Sequence, residues 1–195
     1  MTRIVVVGVG GQGVLFASKV LSEAALAEGK NAVMSEVHGM AQRGGVVMCN
    51  ICVGCIESSL VGDAEADIIF AFEPMEAYRA LPKANAKTRF VTSTSAVIPV
   101  VVSIGKQKYP DIETMFAEIK KITPNLTAVD ADALAVQAGS YVTANSVLLG
   151  ALAGTPECPV SKEKLVEALK NTVPPKTVDI NMKAFELGLE FAKNH

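Results

Sequence analysis

Ile4-Val5-Val6-Val7-Gly8-Val9-Gly10-Gly11-Gln12-Gly13 is the stretch on which the fold class turns. Its first part belongs to a short apolar, β-branched run, Arg3–Val9, which reads as a strand buried on both faces in a parallel sheet. The glycines from Gly8 to Gly13 form a tight turn. Beyond it, Val14, Ala17, Val20, Leu21, Ala24 and Ala25 recur at helical spacing through Val14–Glu28, and Gly29 ends that helix. A strand, a glycine turn and a helix in this order form the context that G-x-G-x-x-G requires.

Reading outward, further strands are expected at Asn31–Val37, Val46–Val53, Ala66–Phe72, Arg89–Thr92, Val97–Ile104 and Leu126–Val129. Gly54 makes a turn after Val53, with Glu57–Gly62 as a candidate returning strand. Glu73-Pro74 starts a helix with Pro in its first turn. Ile112–Ile122 is amphipathic, and Asp130 is placed to cap the helix after Val129. From there the chain reads as helical: Thr143–Leu152, Ser161–Leu169 and Val178–Ala192. Strands alternating with helices predict an α/β fold. The expectation is a single Rossmann-like domain over residues 1–195, with a mostly parallel sheet flanked by helices and a helical C-terminal region.

The bulk composition narrows the function. A chain of 195 residues suits one domain. At that length it buries roughly 70% of its unfolded surface, so its core needs neither metal nor disulfide. A net charge of −2 gives no general attraction to nucleic acid or anionic lipid, and the absence of Trp argues against base-stacking platforms. The opening apolar run is too short to cross a membrane and lacks a signal-peptide cleavage site, so a cytoplasmic location is expected. Four unevenly spaced cysteines do not make a secreted disulfide framework.

Three readings fit the glycine turn. It can hold a dinucleotide, with Glu36 near the end of the second strand as the ribose-binding acid. It can meet another anionic or phosphate group at the helix start. Or its glycines only permit a close strand–helix crossing. The extra Gly11 and the polar Gln12 suggest a face that something approaches.

Ser35-Glu36-Val37-His38-Gly39-Met40-Ala41-Gln42-Arg43-Gly44-Gly45 gathers polar tips and glycines directly after a strand. In a doubly wound sheet this loop lies beside the glycine turn, and both line one crevice at the carboxyl ends of the strands. Arg43 offers a planar fork for phosphate or carboxylate. His38 can donate a hydrogen bond or titrate near neutrality. The plainer alternative pairs Arg43 with Glu36 and leaves His38 to cap the loop. The cluster as a whole reads as a functional surface.

Cys49-Asn50-Ile51-Cys52-Val53-Gly54-Cys55 has ferredoxin-like spacing, and Cys158-Pro159 could complete it. Ser59, however, stands where the nearby fourth cysteine would be. Alternation along the strand would also send Cys49 and Cys52 to opposite faces. Buried strand cysteines are therefore expected, and no metal ligands are assigned. Glu73 and Glu76 could be a carboxylate pair near the crevice, or first-turn acids that suit a helix dipole. Asp130 and Asp132 read as a helix start, and Asn145 as a buried hydrogen-bonding residue. With only His38 and His195 available, no Ser–His–Asp arrangement is present.

The two motifs Gly8–Val14 and Ser35–Gly45 together resemble the signature of the gamma-type subunits of 2-oxoacid:ferredoxin oxidoreductases, in particular the indolepyruvate branch. Ala66-Asp67-Ile68-Ile69-Phe70-Ala71-Phe72-Glu73-Pro74, Ala144-Asn145 and Leu148-Leu149-Gly150-Ala151 are similar to the same family. The resemblance implies a Rossmann-like small subunit packed against a large partner subunit. That partner would carry thiamine diphosphate, magnesium and iron–sulfur clusters, and ferredoxin would be reached through the complex. No cofactor would be bound by this chain alone. The implied reaction converts a 2-oxoacid such as an aryl pyruvate, coenzyme A and oxidised ferredoxin to an acyl-CoA, carbon dioxide and reduced ferredoxin. The candidate binding residues are Gly8, Gly10, Gly11, Gln12, Gly13, Gln42, Arg43 and Gly44, with His38 and Arg43 as auxiliary groups. Two other functions fit the residues alone: an independent NAD(P)-dependent oxidoreductase and a non-catalytic assembly module.

Overall fold

The structure is a computed structural model that describes residues 1–38, 44–54, 58–98, 102, 104–105 and 108–194. Six strands form one sheet in the order β2-β3-β1-β4-β5-β6. They are β1 (Thr2–Val9), β2 (Ala32–His38), β3 (Val46–Val53), β4 (Ile68–Ala71), β5 (Arg89–Ser93) and β6 (Leu126–Val129). The β1–β4, β4–β5 and β5–β6 pairs are parallel, whereas β3 runs antiparallel to both β1 and β2. The β2–β3 hairpin needs only a short loop, as antiparallel neighbours do, while the parallel strands are joined by longer, helix-containing crossovers.

Helices cover both faces. On one lie α1 (Val14–Ala27), α4 (Ala131–Ala138), α5 (Ala144–Ala153), α6 (Lys162–Thr172) and α7 (Val178–Asn194), which share a core with Ile4, Val6 and Phe70. On the other, α2 (Pro74–Arg79) and α3 (Ile112–Ile122) enclose a smaller core with Val5, Val7 and Phe90. Successive residues of β1 thus serve opposite cores, which explains why the strand is apolar throughout. The α5–α7 pair is the most intimate helix contact. A Cβ on Gly150 would fall 1.9 Å from the Phe185 carbonyl oxygen, and one on Gly188 equally close to that of Val147.

Two of the expected strands are not seen at their described positions. Residues 58–62 carry no strand. Both edges of β3 are already taken by β1 and β2, so a returning strand has nothing to pair with. The run at Val97–Ile104 is also not a strand at its described positions, where Val97 and Ile98 are irregular and Val102 is helical. Here β5 is flanked by β4 and β6, and Pro99 interrupts the run with a residue that cannot donate to a ladder.

Sheet order also corrects one placement. The second strand does not adjoin the first, because β3 lies between them. At about 4.8 Å per strand, Glu36 on β2 is displaced by roughly 10 Å from β1.

Candidate functional site

The chain leaves β1 toward α1 on one face of the sheet and leaves β4 toward α2 on the other. This makes the β1–β4 boundary a topological switch point, where a crevice opens beyond the carboxyl ends of the strands. A cleft of about 560 Å³ lies there. Its floor is the glycine turn, and Phe72, Ser93 and Ser95 border it at the ends of β4 and β5. Val97 forms one wall, and Tyr141, Val142 and Asn145 form another.

Three glycines of the turn answer different demands. A Cβ at Gly8 would meet Val14 Cγ2 at 2.7 Å and Phe72 Cβ at 2.9 Å, so this glycine serves packing. Gly13 has φ +86°, and a Cβ there would sit 2.6 Å from Asn145 Nδ2, so it permits α1 to cross close to α5. Gly11 has φ +105°, is exposed and has nothing within 4 Å of its Cβ position. Gly11 thus leaves backbone open to an approaching group.

Gln12 is an anchor. Its Oε1 accepts from Val9 N–H at 2.7 Å, and its Nε2 donates to the Phe72 carbonyl oxygen at 3.0 Å. One side-chain amide thereby ties the turn to the ends of both β1 and β4. The helix that comes next starts at Gly13 with no side-chain cap, and among the described residues no side chain accepts from its first-turn N–H groups.

The second loop meets the first. Gly10 N–H donates to the Gly45 carbonyl oxygen at 2.8 Å, fixing the two glycine-rich segments side by side. Gly44 is exposed with φ +73°. His38 is the last residue of β2, in register with Val47. Gln42 and Arg43 lie outside the described residues. A second, shallower hollow of about 400 Å³ lies between the turn and β3, bordered by Gly10, Leu15 and Val47. Among the described residues lining the larger cleft, Asp132 is the one charged group, so an anion there would depend on backbone N–H groups.

Glu73, at the end of β4, is buried to 1% exposure and caps α2 by accepting from Glu76 N–H at 3.1 Å. Its other oxygen accepts from Val97 N–H at 3.3 Å and from the Tyr109 hydroxyl. Glu76 is buried as well, and burial pushes its carboxyl above the usual range against the opposing pull of Arg79. Asp130 caps α4 by accepting from Ala133 N–H, as expected. Asn145 is half-buried between the cleft and Gly13.

The cysteine pattern divides as strand alternation requires. Cys49 joins the core beneath α1, while Cys52, three residues on, belongs to the opposite face of β3. Burial raises the Cys49 thiol and lifts Cys158 to about 11. Cys55 lies outside the described residues.

Sequence reasoning did not single out Tyr109, Tyr141 or Val142. Tyr141 and Val142 are 74% and 66% exposed at the rim of the cleft. The signal for them is the break at Gly139-Ser140 followed by two large apolar residues. For Tyr109 it is a phenol just before Pro110 and the helix-capping Asp111.

The comparisons with known proteins bear on this geometry. Residues 3–191 match the family model described as pyruvate ferredoxin/flavodoxin oxidoreductase. The chain is 42% identical over 197 residues to the indolepyruvate oxidoreductase subunit IorB of Thermococcus kodakarensis, covering 98% of this chain and 96% of that protein. It is 38% identical to the IorB subunit of Methanothermobacter thermautotrophicus, with 95% of each chain covered. Its fold also matches part of a 2-oxoglutarate:ferredoxin oxidoreductase from Magnetococcus marinus, solved with 2-oxoglutarate, coenzyme A and succinyl-CoA bound. That match has a TM-score of 0.74 at 22% identity, covering all of this chain and 31% of that one. With nearly its whole length matched, the chain belongs to the pyruvate ferredoxin/flavodoxin oxidoreductase family.

Proposed function

We propose that this chain is the small subunit of a thiamine-diphosphate-dependent 2-oxoacid:ferredoxin oxidoreductase, with aryl pyruvates as substrates. Its glycine-turn cleft would receive anionic groups of coenzyme A. The observation that carries this reading is the exposed Gly11 beside the uncapped start of α1, at the switch point of the sheet. Backbone N–H groups at a helix start suit phosphate oxygens, and the helix dipole adds to the attraction. Gly8, Gly10, Gln12 and Gly13 shape the turn, and Gly44 brings the second loop alongside. From that loop, His38, Gln42 and Arg43 would supply hydrogen bonds and positive charge.

Thiamine diphosphate, magnesium and the iron–sulfur clusters belong in this reading to a large partner subunit, where the thiamine supplies the carbanion chemistry. This chain's part is to bind and orient coenzyme A and to close the shared site. Val97, Ile98, Tyr141 and Val142 present exposed apolar surface around the cleft, as a face covered by a partner would. No helix among the described residues is long and apolar enough to cross a membrane. The reading places the complex in the cytoplasm.

The NAD(P) alternative loses its geometry, because β3 separates Glu36 from the glycine turn. Steady-state kinetics of the reconstituted complex test the proposal. Arg43→Ala should raise KM for coenzyme A by about tenfold, the loss expected for one charge-assisted contact. Unchanged coenzyme A kinetics would remove Arg43 from the site.

A further inference from the structure

The end of β4 holds the floor of the cleft and one of its walls through two consecutive residues. Phe72 presents its carbonyl oxygen to Gln12 and so secures the glycine turn. Glu73 grips the opposite side. Capping α2 occupies one carboxylate oxygen, with Glu76 N–H as donor. The other oxygen accepts from Val97 N–H and from the Tyr109 hydroxyl, 24 and 36 residues away in sequence. Capping alone would not require this second set of contacts.

Tyr109 completes the arrangement. Its hydroxyl donates to Glu73, the carboxylate that caps α2. Burial, together with the neighbouring carboxylate, raises the phenol above its usual range, so it remains a proton donor. A carboxylate with three donors around it is satisfied only as an acceptor. The segment it holds runs from the end of β5 to α3, carries no strand at its described positions and contributes Val97 to the cleft wall.

We propose that Glu73 is a positioning residue for the cleft, and that with Tyr109 it fixes the Val97 wall at the spacing coenzyme A requires. This rests on the reading of the cleft as the coenzyme A site.

Two variants separate positioning from helix capping. Glu73→Asp keeps a good capping carboxylate but is one methylene too short to hold Tyr109 and Val97. Tyr109→Phe leaves Glu73 intact and removes only the hydroxyl. In the reconstituted complex, each should raise the Kd and KM for coenzyme A about three- to tenfold, the scale of a partly lost charge-assisted hydrogen bond. Turnover at saturating coenzyme A and KM for the oxoacid should stay within about twofold. Amide exchange at Val97 should be faster in both. Gly11→Ala, measured alongside, reports on the cleft itself. If it weakens coenzyme A binding while the other two variants do not, the positioning role is overturned and the cleft reading stands. If none of the three changes coenzyme A binding, the cleft reading falls and the proposal with it. A parallel fall in turnover and in affinity for both substrates would mark Glu73 as merely structural.

Discussion

The Gln12 side chain donates from Nε2 to the carbonyl oxygen of Phe72 at 3.0 Å while its Oε1 accepts from Val9 N–H, so one amide spans the ends of two neighbouring strands. It braces, together with the Gly10–Gly45 hydrogen bond, a turn in which Gly11 and Gly13 both adopt left-handed backbone and Gly11 has open space where a side chain would lie. The amide thus converts a flexible sequence into a fixed floor for the cleft.

Gln12→Glu should destabilise the protein more than Gln12→Ala. The carboxylate would keep the acceptor for Val9 but aim a second acceptor at the Phe72 carbonyl. Truncation instead lets water from the cleft reach both partners. A loss of about 1–3 kcal/mol is expected for the glutamate variant in urea unfolding, with the alanine variant nearer the lower end. An alanine variant as unstable as the glutamate variant would show that packing, not hydrogen bonding, is what Gln12 provides.

The crossing of α5 and α7 sets a harder limit. Added Cβ atoms at Gly150 and Gly188 would each lie 1.9 Å from a carbonyl oxygen of the facing helix. Backbone cannot yield as a side-chain tip can, so the helices must separate. Gly150→Ala and Gly188→Ala should each cost about 3 kcal/mol or more, beyond any gain in helix propensity. Thermal unfolding checks this. A melting temperature within a degree or two of the parent would mean the helices can part freely.

The parts of the fold visible in the sequence are those governed by local rules. Val46–Val53, Ile112–Ile122 and Leu126–Val129 form where periodicity places them, and Asp130 caps as its position implies. What stays hidden is set by partners distant in the chain. The insertion of β3 between β2 and β1 depends on which strand edge is free, and the described positions of Val97–Ile104 form no strand beside β5, whose edges are taken by β4 and β6. The site divides in the same way. The glycine turn and the loop after β2 are legible as glycine-rich punctuation, and the Gly10–Gly45 hydrogen bond brings them together. Gln12, by contrast, stands out in the sequence only for its polarity, because its bond to Phe72 spans 60 residues. The tie between Glu73 and Tyr109 crosses 36 residues, and no periodicity encodes it.

A last expectation concerns acid stability and the join between α1 and α6. Glu28, at the end of α1, is paired with Lys30 at 2.6 Å and accepts from Ser161 N–H at 2.5 Å, just where α6 begins. Lys30 also donates to the Pro159 carbonyl oxygen, so the two residues clamp the approach to α6 from both sides. The Lys30 hydrogen bond, followed by those from Ser161, lowers the Glu28 carboxyl from 4.5 to about 2. A carboxylate held below its unfolded value stabilises the folded chain above that value, and the contribution fades as pH falls toward the folded one. Glu28→Gln should therefore melt below the parent protein at pH 7, and the gap should close between about pH 4.5 and pH 2 as the parent's carboxylate is protonated. Because the pair is close to the surface, raised salt should narrow the gap at pH 7 as well. A gap that persisted undiminished at pH 2 would show that Glu28 holds α6 by shape rather than by charge.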